Sequence, residues 1–237
     1  MFKNLNFDNL HLYGLDDQHL VDYQCTKLET ETCAAFQHMV KAALSEGIDL
    51  QICSGYRSFE RQLFIWNNKV SGKRTVLDLN SNPIDIEGLN KKELIKTIMN
   101  WSALPGTSRH HWGTDIDVFD GNTITNEDLK LIPQEYQING PCYKLHSWLK
   151  THAHRFGFFF PYQEGKSGVN AEPWHLSYAP VSCQYIDAFI PIHLENILNA
   201  VDIHLYIEIQ SQLPELLKQY FYFIAPIADN MDRPAIR

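Results

Sequence analysis

The feature that most restricts this chain is the run T-D-I-D-V-F-D, residues 114–120, which follows directly on S-R-H-H-W-G at residues 108–113. Its polar–apolar alternation predicts a β-strand. Side chains on a strand repeat every two residues, so Asp115 and Asp117 share one face. Gly113 permits a sharp turn just before the strand. His110, on the preceding loop, can therefore converge with a strand aspartate on one ion, and spacing alone allows either Asp115 or Asp117. Any fold for this chain has to accommodate that convergence.

A catalytic zinc site takes three protein ligands and keeps a fourth position open. The best source of the third is A-E-P-W-H-L-S-Y, residues 171–178. There Glu172 precedes His175 by three at the mouth of a predicted strand, which supplies a ligand and a nearby base together. No H-E-x-x-H helix occurs, so the zincin arrangement is absent. Two histidines and a carboxylate also describe a non-haem iron site. Oxygenases of that kind surround the metal with an extended set of strands, whereas this chain reads as helix-rich. His111, His146, His152 and His154 read as helix or loop positions with hydrogen-bonded or solvent-facing rings.

The rest of the pattern gives an α+β chain. Phe36, Met39, Val40, Ala43 and Leu44 form one apolar stripe and predict a helix from about Glu31 to Glu46, stopped by Gly47. I-D-L-Q-I-C-S then reads as a strand entering the turn S-G-Y-R-S, where Ser58 can cap the helix F-E-R-Q-L-F-I-W-N-N. Residues 70–89 are rich in turn formers and read as a long surface excursion. Asn90 with Glu93 marks the start of a helix over 91–104. A further helix begins at Tyr143 and stops at Gly157, followed by short strands at F-F-F and W-H-L-S-Y. From about Ile192 the chain is helical again, as an appendage on the core. We read one domain over residues 1–237, with a catalytic core at about 28–185 and a C-terminal helical segment at about 192–225.

Composition narrows the class. The formal net charge is −8, with no dense Lys/Arg cluster, which argues against a nucleic-acid partner. Five cysteines without a C-x-x-C pair read as free, buried thiols. No apolar run approaches the ~20 residues of a membrane span. The N-terminus shows no basic region followed by an apolar one, so the chain as written reads as cytoplasmic. If a leader is missing, the compartment is the periplasm or cell envelope.

Three motifs in order then carry a resemblance. S-G-Y-R-S with Gln62, the S-x-H-x-x-G-x-x-x-D spacing from Ser108 to Asp117, and E-x-W-H from Glu172 to His175 resemble the D-alanyl-D-alanine carboxypeptidase family of zinc peptidases. Relatives of that group include vancomycin-resistance D,D-peptidases, phage endolysins and the hedgehog signalling domain. The motifs span about residues 50–180. The resemblance implies a small antiparallel sheet flanked by helices and one zinc ion held by His110, Asp117 and His175. It makes Glu172 the general base and Arg57 the group that stabilises the oxyanion. Ser108 and Gln62 would grip the peptide and its terminal carboxylate. The family usually has alanine where this chain has Asp115, which leaves open which aspartate binds; as an extra carboxylate Asp115 could orient a ligand histidine, shift the pKa of a neighbour or bond the backbone at the turn.

The implied substrate is a peptidoglycan stem peptide or muropeptide, and the implied reaction is D,D-carboxypeptidase hydrolysis. Relatives also cut L,D bonds or the L-Ala–D-Glu bond, and a zinc-containing binding module is the alternative of another class. A retired enzyme often loses its base or its arginine, and here Glu172 and Arg57 are both present. Oligomeric state is not legible.

Overall fold

A computed structural model describes residues 8–227. The described residues open with a 3-10 turn, Leu10–Tyr13, and a hairpin of β1 (Leu20–Tyr23) and β2 (Thr26–Glu29). β2 runs straight into α1 (Thr30–Ser45), whose first N–H groups, of Glu31 and Thr32, donate to the Glu29 carboxylate. Gly47 at φ 73° closes that helix as the sequence predicts. Phe36, Met39 and Ala43 are buried, but Leu44 is exposed and Cys33 joins the stripe instead.

β3 (Leu50–Ser54) leads through the S-G-Y-R-S turn into α2 (Phe59–Val70), capped by the Ser58 hydroxyl. The excursion at 70–89 is mostly exposed but holds a short hairpin, β4 (Val76–Leu77) with β5 (Pro83–Ile84), whose Val76 is buried. α3 (Lys91–Met99) opens on the Asn90–Glu93 capping box. It stops short of the predicted end at 104, since Pro105 disfavours helical backbone at the residue before it and Gly106 sits at φ 86°. β6 (Asp115–Asp120), α4 (Tyr143–His152), β7 (Phe158–Phe159) and β8 (His175–Tyr178) complete the part that carries the motifs. Gly157 at φ 84° ends the helical stretch after α4. The tail contains α5 (Ala179–Asp187), which the pattern did not suggest, then α6 (Pro191–Asn199), α7 (Tyr206–Gln210) and α8 (Leu213–Leu217). A π-helical turn, Lys218–Tyr222, follows.

The central sheet is antiparallel in the order β3-β6-β8-β7. This is the small sheet flanked by helices that the sequence led us to expect. Every residue of β6 is buried, so the alternation there separates two interiors rather than core from solvent. Ile116, Val118, Leu176, Leu50 and Ile52 face a core shared with α1 and α4. Asp115, Asp117, His175 and Ser177 are the alternate residues and face the other way. A second apolar core joins α2 and α3 to the tail, with Trp66, Ile98, Trp112, Leu194 and Leu216 among its members. All five cysteines are free, yet only Cys33 and Cys142 are buried and Cys25 is exposed. No helix among the described residues is long and apolar enough to cross a membrane.

Candidate metal centre and catalytic cleft

Strand register builds the site. Asp117 pairs with His175 and Asp115 with Ser177 across β6 and β8. Cross-strand neighbours on one face meet directly. His110 arrives from a 3-10 turn, Arg109–Trp112, that Gly113 ends at φ 68°. His110, Asp117 and His175 offer ligand atoms that all lie within 4.8 Å of one another, and all three are buried. His110 Nε2 lies 3.4 Å from Asp117 Oδ2, and His175 Nδ1 lies 3.0 Å from Asp117 Oδ1.

The nitrogens facing away from this triad are anchored. His110 Nδ1 is 2.8 Å from the Gly55 carbonyl. His175 Nε2 is 3.0 Å from Asp115 Oδ1. A hydrogen bond on one ring nitrogen fixes which nitrogen is free for a metal. The arrangement therefore presents His110 Nε2, Asp117 and His175 Nδ1 to a common point, and this donor set fits a catalytic zinc ion.

The same geometry separates the two aspartates that spacing left open. Asp115 is fully buried and faces away from that point. Its Oδ1 accepts from Arg109 Nε at 2.8 Å, and its Oδ2 accepts from Thr114 Oγ1 at 2.7 Å and Ser177 Oγ at 3.0 Å. Arg109 Nη2 also donates to Ser177 Oγ at 2.6 Å, and the guanidinium lies 4.8 Å from the Trp112 ring centroid. Burial opposes ionisation of Asp115, but Arg109 and His175 outweigh it and hold the carboxyl well below the usual range. Of the roles the sequence leaves open for Asp115, this geometry matches the carboxylate that orients His175.

Glu172 Oε2 lies 3.5 Å from His175 Nδ1, beside the ligand triad. Burial pushes its carboxyl up to about 8, with His175 pulling in the opposite direction. Arg57 lines the same cavity as Glu172 and the three ligand residues. Its Nη1 donates to Gln62 Oε1 at 3.0 Å and its Nη2 to Ser54 Oγ at 3.3 Å. Gln62 is fully buried and its amide donates to the Ala103 carbonyl at 2.6 Å. Where the resemblance gave Gln62 a grip on the peptide, its side chain here braces Arg57. Ser108 lines the cavity.

His111 keeps the hydrogen-bonded role. Its Nδ1 lies 2.6 Å from the Arg57 carbonyl, and its Nε2 accepts from the Gly106 N–H at 3.1 Å. It is fully buried, and burial lowers its pKa to about 3, so a neutral ring ties the arginine turn to the loop bearing Ser108. His146 bonds the Tyr136 carbonyl and His152 stacks on Trp148.

Sequence reasoning missed Tyr162, whose ring lies 4.8 Å from that of His175, and the largely buried Lys69, which lines the same cavity. Nothing in the sequence marks Tyr162. Lys69 follows Gln62 by seven on one helix, a spacing that puts both on one face.

Residues 25–181 match the family described as VanY, D-alanyl-D-alanine carboxypeptidase. The chain is 36% identical over 107 residues to an uncharacterised protein of Haemophilus influenzae, covering 41% of this chain and 82% of that one. It is 28% identical over 149 residues to a D-alanyl-D-alanine carboxypeptidase of Enterococcus faecalis. That match takes in 61% of this chain and 46% of the relative, so the aligned stretch spans about half the length of the enzyme. The fold is similar to that of a vancomycin-resistance D,D-pentapeptidase VanY solved with Zn(II), at a TM-score of 0.51 and 23% identity. The likeness covers 72% of this chain and 86% of that structure.

Proposed function

Since this chain belongs to the VanY family of D-alanyl-D-alanine carboxypeptidases, we propose that it is a zinc-dependent D,D-carboxypeptidase that removes the terminal D-alanine from a peptidoglycan stem peptide. The observation that carries this reading is the convergence of His110, Asp117 and His175 within 4.8 Å, with Glu172 and Arg57 on the same cavity.

His110, Asp117 and His175 would hold one zinc ion. When bound, zinc lowers the pKa of a water to about 7 and polarises the scissile carbonyl. Glu172 accepts a proton from the attacking water and returns it to the leaving nitrogen. Burial raises its carboxyl above the usual range, and a cation held by the neighbouring ligands would favour the ionised form that takes the proton. Arg57, held by Gln62 and Ser54, faces the charge that develops on the carbonyl oxygen. A planar, permanently charged fork suits that task better than lysine. Removing one such donor commonly costs about 10²–10³ in rate.

Hydrolysis of an L,D bond or of L-Ala–D-Glu would use the same chemistry on the same stems. The test is mass spectrometry of purified muropeptides incubated with the protein, with and without a chelator. Loss of one terminal alanine that the chelator abolishes is the expected result. Loss of a different fragment identifies the other bonds. No change on any stem by zinc-loaded protein would overturn the peptidase reading and leave a binding module.

A further inference from the structure

The cavity that contains the metal ligands is small, ≈ 270 Å³, and has a cationic wall: Arg57, Lys69, Arg74 and Lys130 all line it. This is notable in a chain of net charge −8. None of the four forms an ion pair with a carboxylate among the described residues. Arg57 is held by neutral partners, while Arg74 and Lys130 are exposed.

Lys69 is the unusual member. It is only 8% exposed, in the last turn of α2, and its ammonium has no hydrogen-bond or salt-bridge partner among the described residues. Its stem is buried while the ammonium opens on the cavity, as a long cationic side chain commonly arranges itself. Gln62, Ile65 and Lys69 fall at i, i+3 and i+7 on one helix face, with Ile65 also on the cavity wall. Helical side chains lean toward the N-terminus, which brings the ammonium back toward Arg57 and the cavity. Burial, followed by Arg74, lowers its pKa to about 8, while Glu172 works the other way. No carboxylate lies within ion-pair distance of Lys69 among the described residues, although Asp117 and Glu172 stand on the same cavity wall.

The remaining walls favour a small group. Leu77, Trp101, Leu131 and Trp174 are apolar. A second, larger pocket of ≈ 530 Å³ meets this one at Glu172 and Tyr162, and carries His146, Lys150 and Phe160. The cleft thus has a confined arm, which carries the four cations together with the metal ligands, adjoining a roomier arm at Glu172 and Tyr162. Of Ser108 and Gln62, the residues the resemblance assigns to the peptide and its terminal carboxylate, Gln62 is fully buried with its amide taken by Ala103, while Ser108 is on the cavity wall as a neutral hydroxyl.

We propose that Lys69, with Arg74 beside it, anchors the C-terminal carboxylate of the peptide, so that the confined arm holds the residue to be released. The proposal rests on the carboxypeptidase reading above and names the residues that make the cleft select a free chain end. The pairing gives Lys69 a counter-charge inside the cavity, and it disfavours a peptide that continues past the scissile bond.

The test compares a tripeptide ending in D-Ala-D-Ala with the same peptide amidated at its C-terminus, using zinc-loaded protein. Hydrolysis is measured on wild type, Lys69→Met, Lys69→Arg and Arg74→Ala. Binding is measured by calorimetry on the same substitutions in a Glu172→Gln background. Lys69→Met should raise KM for the free acid about 10- to 100-fold, the effect of losing a charged hydrogen bond, with kcat nearly kept. Lys69→Arg should restore most of the loss, and Arg74→Ala should show a smaller rise. The amidated peptide should bind weakly throughout and be indifferent to Lys69. If wild type and a folded Lys69→Met bind and cut the free acid alike, the anchor is overturned while the peptidase reading stands. If Lys69-dependent binding is seen without hydrolysis, the peptidase reading falls and the anchor stands. No binding of the free acid by any variant overturns both.

Discussion

Asp115 and Asp117 differ by two positions on one strand, and the groups around them set them to different tasks. Asp117 meets His110 and His175 at the ligand point, while Asp115 lies between Arg109 and the outer nitrogen of His175. Asp117→Asn should therefore weaken zinc more than Asp115→Asn, for which about 10- to 100-fold is expected of an outer partner. Competition with a chromophoric chelator measures both, and the reverse order would exchange their roles. Glu172→Gln should keep zinc, as judged by elemental analysis, while hydrolysis falls by about 10²–10⁴. His175 adds a pH signature in the zinc-stripped protein. Burial acts against its charge, but Asp115 and Asp117 raise its pKa from 6.5 to about 10. A group raised on folding contributes fully below its unfolded value and loses that contribution as pH rises through the folded one. Urea midpoints of chelator-treated protein should thus fall between pH 6.5 and about 10. Asp115→Asn should flatten that decline.

At the scale of elements, the turn and the register matter more than propensity. A Cβ on Gly113 would stand 2.5 Å from Leu20 Cδ2 and 2.8 Å from the Glu29 backbone nitrogen, at a φ of 68°. Backbone cannot yield as a flexible side chain does. Gly113→Ala should lower the melting temperature and weaken zinc together, since the turn sets His110 against β6. Zinc titration of the folded fraction separates the two effects. Asn90→Ala removes a capping box remote from the metal and should cost about 1 kcal/mol without altering zinc affinity. The sequence made β6 legible through its period of two, and α1 and α3 through their stripes and caps. It gave no sign that β8 would pair with β6 in the register that sets His175 opposite Asp117. Nor did it show that α3 would end near Met99, because a helical pattern continues past the point where Pro105 and the packing of Trp101 stop it.

For the molecule as a whole, the C-terminal helices share the apolar core beneath the loop that bears Ser108. Leu194 of α6 lies fully buried among them, and its Cδ1 stands 2.5 Å from where a Cβ on Gly106 would be. Leu194→Ala should cost about 2–5 kcal/mol in chemical denaturation. It should also raise amide exchange in the loop from Leu104 to Ser108, and an effect confined to the tail would show that the two regions are not coupled. The sequence by itself determined the metal-competent residues, the strand that carries two of the carboxylates and the helix-rich class, because periodicity, caps and motif spacing are local properties of the chain. Only the tertiary structure decided which aspartate faces the metal point, that Gln62 braces Arg57, and that Lys69 is a buried cation on the cavity wall. Those outcomes depend on cross-strand register and on which groups are withdrawn from water together, and neither is written in the spacing of residues along one segment.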